Sequence, residues 1–472
     1  MVYVWQETYE PATVAYIILG SALVFIMVPG LGFLYSGLAR RKSALALIWA
    51  VIMAAMVAMI QWYFWGYSLA FSSTAPDNKF IGNLDSFGFR NVYGKLSEDA
   101  SYPELAFAVF QGLFMCVTLS IIAGATAERG RLLPHMVFLF CFATVVYCPV
   151  TYWVWCSGGW AYQWGVLDWA GGGPVELLSS IGGFVYSAFL GKRKEKLLIN
   201  FRPHNVAMIT MGTSLLWFGW LGFNACTSLD PNLKSVYALM NTNISAATGG
   251  MTWCLLDFRL EKKWSTVGLC SGIISGLVAA TPSSGCITLY GSLIQGIVAG
   301  VVCNFATKIK YYLKVDDAMD ILAEHGIAGV VGLVFNALFA ADWVIGMDGA
   351  TEHDGGWITH NYKQMYKQIA YIAAVTGYSV VVTAILCFVI DKIPGLQLRA
   401  SEEAEERGMD EDQIGEFAYD YVEVRRDYYS WGVPNDTTSS SDDDDNESRA
   451  NQVQEKNPEI TSRSDPTSLH DN

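Results

Sequence analysis

Residues 167–190 read LDWAGGGPVELLSSIGGFVYSAFL. From Trp169 to Leu190 the stretch is long enough to cross the hydrocarbon core of a bilayer as a helix, which takes about 20 apolar residues, and its one acidic or basic residue is Glu176. Placing a carboxylate at the centre of such a helix costs about 2.5 to 3.5 kcal/mol even on the mildest insertion scale. Pro174, Val175, Leu177 and Leu178 flank Glu176 and offer it nothing. It therefore requires a partner from another part of the chain.

Similar stretches recur along the sequence. Eleven are read, near residues 14–38, 43–71, 104–127, 133–154, 169–190, 206–227, 238–258, 266–283, 287–307, 318–341 and 368–393. The first starts too late for a secretory signal and lacks a small-residue cleavage site, so it is read as a retained helix. The composition agrees: 52% of the 472 residues are hydrophobic and 16% charged, against roughly 25% charged in soluble domains. The expected fold is an all-α integral membrane protein with eleven transmembrane helices.

Basic loops stay on the cytoplasmic side of a membrane. Sixteen Lys and Arg follow the odd-numbered spans, from Arg40 to Lys314, while the alternate loops hold six. This puts the N-terminus outside and the C-terminus in the cytosol. From Gln397 onward 21 acidic residues face seven basic ones, so the formal charge of −14 belongs to the tail, and residues 1–396 balance. The expected organisation is a membrane core at 1–396, a cytosolic segment at 397–432 and a disordered acidic tail at 433–472. The basic residues form no continuous stripe, which argues against a nucleic-acid partner. The ten cysteines lie scattered in apolar runs with no paired spacing, so no disulfide framework, metal site or cofactor is expected. The glycine clusters follow no strand and are read as helix packing, not as a phosphate loop.

A weak internal repeat links two halves. Asp168 precedes Glu176 by eight residues, and Asp317 precedes His325 by the same interval, with glycines trailing both. The fifth and tenth spans run in opposite directions in this topology, so the segments are expected to be related as an inverted five-plus-five repeat around a midplane site. His325 at the matching depth is the natural partner for Glu176. The two either pass a proton or hold a small polar solute, or they form a structural hydrogen bond between packed helices. Asp168, at a helix N-terminus, is expected to play a scaffold role there.

Residues 27–49 (MVPGLGFLYSGLARRKSALALIW), 110–131 (FQGLFMCVTLSIIAGATAERGR), 167–172 (LDWAGG), 217–225 (WFGWLGFNA), 264–285 (WSTVGLCSGIISGLVAATPSSG) and 315–326 (VDDAMDILAEHG) resemble the ammonium transporter family (Amt/Mep/Rh) from about residue 12 to 431. The likeness is greatest to fungal plasma-membrane ammonium permeases. It implies a homotrimer of eleven-helix subunits, each with its own pore, a transporter core at 1–396 with a cytosolic regulatory segment at 397–432, and no enzymatic activity. Carried over by position, the resemblance implies an outer recruitment site of Trp155, Phe114 and the Thr227 hydroxyl, where many members have Ser. It implies a gate of Phe114 and Phe223, with Trp220 lining the path. The facing histidines of the family map onto position 176 and His325; the first is Glu176 here, as in a subset of fungal permeases, which puts in doubt any mechanism that needs two imidazoles.

The chemistry suits that resemblance. Aromatic faces attract a small cation by roughly 0.5 to 2 kcal/mol each, and an apolar pore then rejects any ion that cannot be neutralised. Ammonium would be recruited outside and deprotonated near the gate, ammonia would cross, and the proton would travel separately through Glu176 and His325, making uptake electrogenic. Two rival expectations are a receptor that binds ammonium and signals through its cytosolic tail, and a passive ammonia channel. In the tail, Ser439–Ser441 followed by Asp442–Asp445 is read either as a kinase target or as a plainly solvated stretch.

Overall fold

The computed structural model describes residues 9–72, 74, 78–97, 101–194 and 202–419. The expected acidic tail and residues 420–432 lie outside them. In chain order the long helices are α1 (Pro11–Leu38), α2 (Arg41–Phe71), α3 (Glu104–Thr126), α4 (Leu132–Trp164, with a turn after Trp155), α5 (Gly172–Leu190) and α6 (Val206–Ser228). Then come α7 (Leu233–Glu261), α8 (Thr266–Ala280), α9 (Leu289–Leu313), α10 (Leu322–Phe339) and α11 (Gln364–Lys392). Among the described residues there is no strand, only three isolated bridges.

Nine of these helices are long and apolar enough to cross a membrane. The exceptions are α7 and α8. The 29 residues of α7 suffice in length, but its middle carries Asn241, Thr242, Asn243, Ser245 and Thr248. The 15 residues of α8 rise only about 22 Å. It stops short because Pro282 follows within two residues, and the freed backbone is stitched elsewhere. The amides of Trp169 and Ala170 donate to Pro282 O at 2.9 Å and Thr281 O at 3.0 Å, and Asn336 Nδ2 donates to Pro282 O at 2.6 Å. Irregular backbone at membrane depth survives only with such partners.

Small residues let the helices close on one another, as van der Waals packing in lipid requires. A Cβ on Gly249 of α7 would fall 2.6 Å from the Gly272 carbonyl oxygen of α8. Besides Asp410–Ile414 near the end of the described residues, wide π-helical turns lie within or open the long helices at Trp62–Gly66, Ala143–Tyr147, Gly172–Leu177 and Leu322–Ile327. Such turns gather at functional sites. The last two open α5 and α10, and they contain Glu176 and His325.

Residues 397–419 belong to the same compact unit as the helices. Arg131 N–H donates to Leu398 O and Ala400 N–H to Arg129 O, both at 2.9 Å, while the Arg399 guanidinium donates to Leu190 O and Lys192 O. Asp410 accepts from the amides of Leu45 and Ala46 at 3.1 and 2.8 Å, satisfying donors that the helix start leaves open. Removing that cap in Asp410→Ala is expected to cost about 1 kcal/mol locally. Limited proteolysis in detergent should then cut within 401–419 faster than in the parent; an unchanged rate would show that Asp410 does not hold the segment down.

Candidate functional site

The site is assembled from α3, α4, α5, α6, α8 and α10. Phe114 of α3 and Phe223 of α6 stack with ring centroids 3.9 Å apart and planes 20° from parallel, and both are fully buried. Trp155 presents an edge to Phe114 at 5.8 Å and donates its indole N–H to Asp168 O at 3.1 Å. The Thr227 hydroxyl donates to Phe223 O, one turn back on its own helix, at 2.8 Å, which leaves its oxygen lone pairs as acceptors. Trp220 lies 5.9 Å from Phe223, and its indole N–H donates to Thr281 Oγ1 at 2.8 Å.

Glu176 and His325 meet: Oε2 lies 2.9 Å from Nδ1, and both side chains are buried. A carboxylate can only accept, so Nδ1 carries the proton in the ionised-Glu, neutral-His form and Nε2 then presents a lone pair. Glu176 Oε1 has no hydrogen-bond partner among the described residues; Thr281 lies beside it, with its hydroxyl donating to Leu277 O. Gly329 lets α10 come this close, since a Cβ there would fall 3.1 Å from the Glu176 Cβ. The pair can therefore exchange a proton and still offer one oxygen and one nitrogen to a passing molecule.

Each member of the pair stands on a matched foundation. Asp168 accepts from the amides of Gly171, Gly172 and Gly173 at 3.0, 2.6 and 2.7 Å. Gly171 has φ 109°, a conformation that Gly adopts without strain. Asp317 accepts from Leu322 N–H at 2.9 Å. In both halves an aspartate caps the wide turn that carries the titratable residue.

Two contributors escape sequence reasoning. The Tyr371 hydroxyl, buried on α11, donates to Asp168 Oδ2 at 3.2 Å, and Thr281 joins Trp220 to the surroundings of Glu176. A tyrosine in an apolar span carries no signal of its own, and Thr281, inside the quoted 264–285 stretch, is one of several Ser and Thr residues there with nothing to single it out. His135 is buried on α4 against Tyr186 with both ring nitrogens unpartnered among the described residues. Among the described residues no group of acids, Cys and His could hold a metal ion.

The profile of the Ammonium Transporter Family matches residues 15–419. Ammonium transporter MEP3 of Saccharomyces cerevisiae is 76% identical over 456 residues, covering 97% of this chain and 92% of its own. Ammonium transporter MEP1 of the same yeast is 80% identical over 431 residues, covering 91% and 88%. The crystal structure of Saccharomyces cerevisiae Mep2 superposes with a TM-score of 0.80 at 46% identity, over 84% of this chain and 92% of that one. The chain belongs to the ammonium transporter family, a family of multi-pass membrane transporters and not of enzymes.

Proposed function

We propose that the protein takes up ammonium across the plasma membrane as a homotrimer of eleven-span subunits, α7 and α8 supplying the two crossings beyond the nine apolar ones. The N-terminus lies outside, the C-terminus in the cytosol, and the two halves form an inverted repeat. Ammonium binds at Trp155, Phe114 and Thr227, loses a proton near the Phe114–Phe223 gate, and crosses as ammonia past Trp220. The proton passes separately through Glu176 and His325. The observation that carries this reading is the 2.9 Å contact between a buried carboxylate and a buried imidazole. A carboxylate and an imidazole, each able to take up and release a proton, placed in an apolar bundle, give a route for charge that the neutral cargo does not need.

The test is electrical. Full-length protein in liposomes on a supported membrane should give an inward positive current on an ammonium pulse and none on a potassium pulse. An ammonia-driven pH change without current would identify a passive channel. Truncation after residue 432 should leave ammonium flux intact; binding without flux in either form would identify a receptor.

A further inference from the structure

Beside Trp155 lies a cavity of about 430 Å³, walled by Phe71, Phe107, Trp155 and Tyr162 and carrying one carboxylate, Glu104, and one ammonium group, Lys95. Glu104 opens α3. Its Oε1 accepts from the Tyr67 hydroxyl and lies 3.8 Å from Lys95 Nζ. The backbone fixes the two charges side by side: Glu104 N–H donates to Lys95 O at 2.9 Å, and Ser97 N–H to Tyr102 O at 2.9 Å. The Glu104 side chain is 17% exposed and that of Lys95 58%.

These features do not describe a structural ion pair. A 3.8 Å contact with an exposed lysine on a flexible stem contributes little, so the lysine is easily displaced. What remains is a carboxylate among aromatic side chains, the combination that binds ammonium-type cations. Its wall is Trp155, which touches Phe114 edge-on, so a cation held here stands one step from the stacked rings. We infer that this cavity is an outer collecting site in which Glu104 binds ammonium or a small alkylammonium ahead of Trp155, Phe114 and Thr227, with the Lys95 ammonium group as the tethered occupant that the incoming cation displaces. The inference rests on the transport reading above and adds a first stop to it.

Two single variants of the full chain test it, read as the ammonium concentration giving half-maximal current in proteoliposomes at low ionic strength. Glu104→Gln is expected to raise that concentration about three- to tenfold while the maximal current is retained. Lys95→Gln, which alters an exposed side chain with one long contact, is expected to lower it by a similar factor. High salt should shrink both differences, because exposed charges are screened. If Lys95→Gln leaves the half-maximal concentration unchanged or raises it, the collecting site is wrong whatever Glu104→Gln does. Unshifted variants beside a normal parent current would sink this site alone, whereas a parent without ammonium current would sink the transport reading with it.

Discussion

Glu176→Gln is expected to cut the ammonium-evoked current by about 100-fold, the scale of a positioned proton-transfer group, while the protein still assembles and elutes as the parent does. The amide has the same shape, and its oxygen can accept from His325 Nδ1 across the same 2.9 Å gap. The packing of α10 against α5, set by Gly329, is left alone. What the amide cannot do is take up and release a proton. Neutral ammonia should still pass, so a pH-sensitive dye inside the liposome should report flux where the electrode reports almost none. An undiminished current would make the pair a helix-to-helix hydrogen bond and nothing more.

Asp168→Ala should act on folding first. It removes the acceptor for three buried amides and the Tyr371 hydroxyl; at about 1 to 3 kcal/mol for each of these four buried groups left unpaired, the loss is roughly 4 to 12 kcal/mol. The turn that aims Glu176 would open with it. Melting followed by size-exclusion chromatography in detergent should show a much lower transition temperature, with Asp168→Asn in between because its single carbonyl oxygen retains part of the set. An alanine variant as stable as the parent but inactive would move Asp168 from scaffold to chemistry.

Much of this was legible beforehand, and for definite reasons. A carboxylate flanked by Pro174, Val175, Leu177 and Leu178 must find a partner, and an imidazole at the same remove from its own aspartate offered one. The near-complete match of helices to apolar stretches follows from the same solvent argument. The early end of α8 was not legible, because Pro282 and Ser283 still read as polar punctuation within an apolar run, and only the acceptance of Trp169 and Ala170 amides by the freed carbonyls explains the stop. Tyr371 and the buried His135 were equally hidden: hydropathy records how greasy a neighbourhood is, not which hydroxyl reaches which oxygen.

The paired aspartate caps and wide turns have an evolutionary consequence. Each turn is held by its own cap and backbone, so the residue displayed at position 176 is a replaceable fitting on a permanent bracket. A single amino-acid replacement there can exchange a carboxylate for an imidazole while the bracket that displays it stays in place.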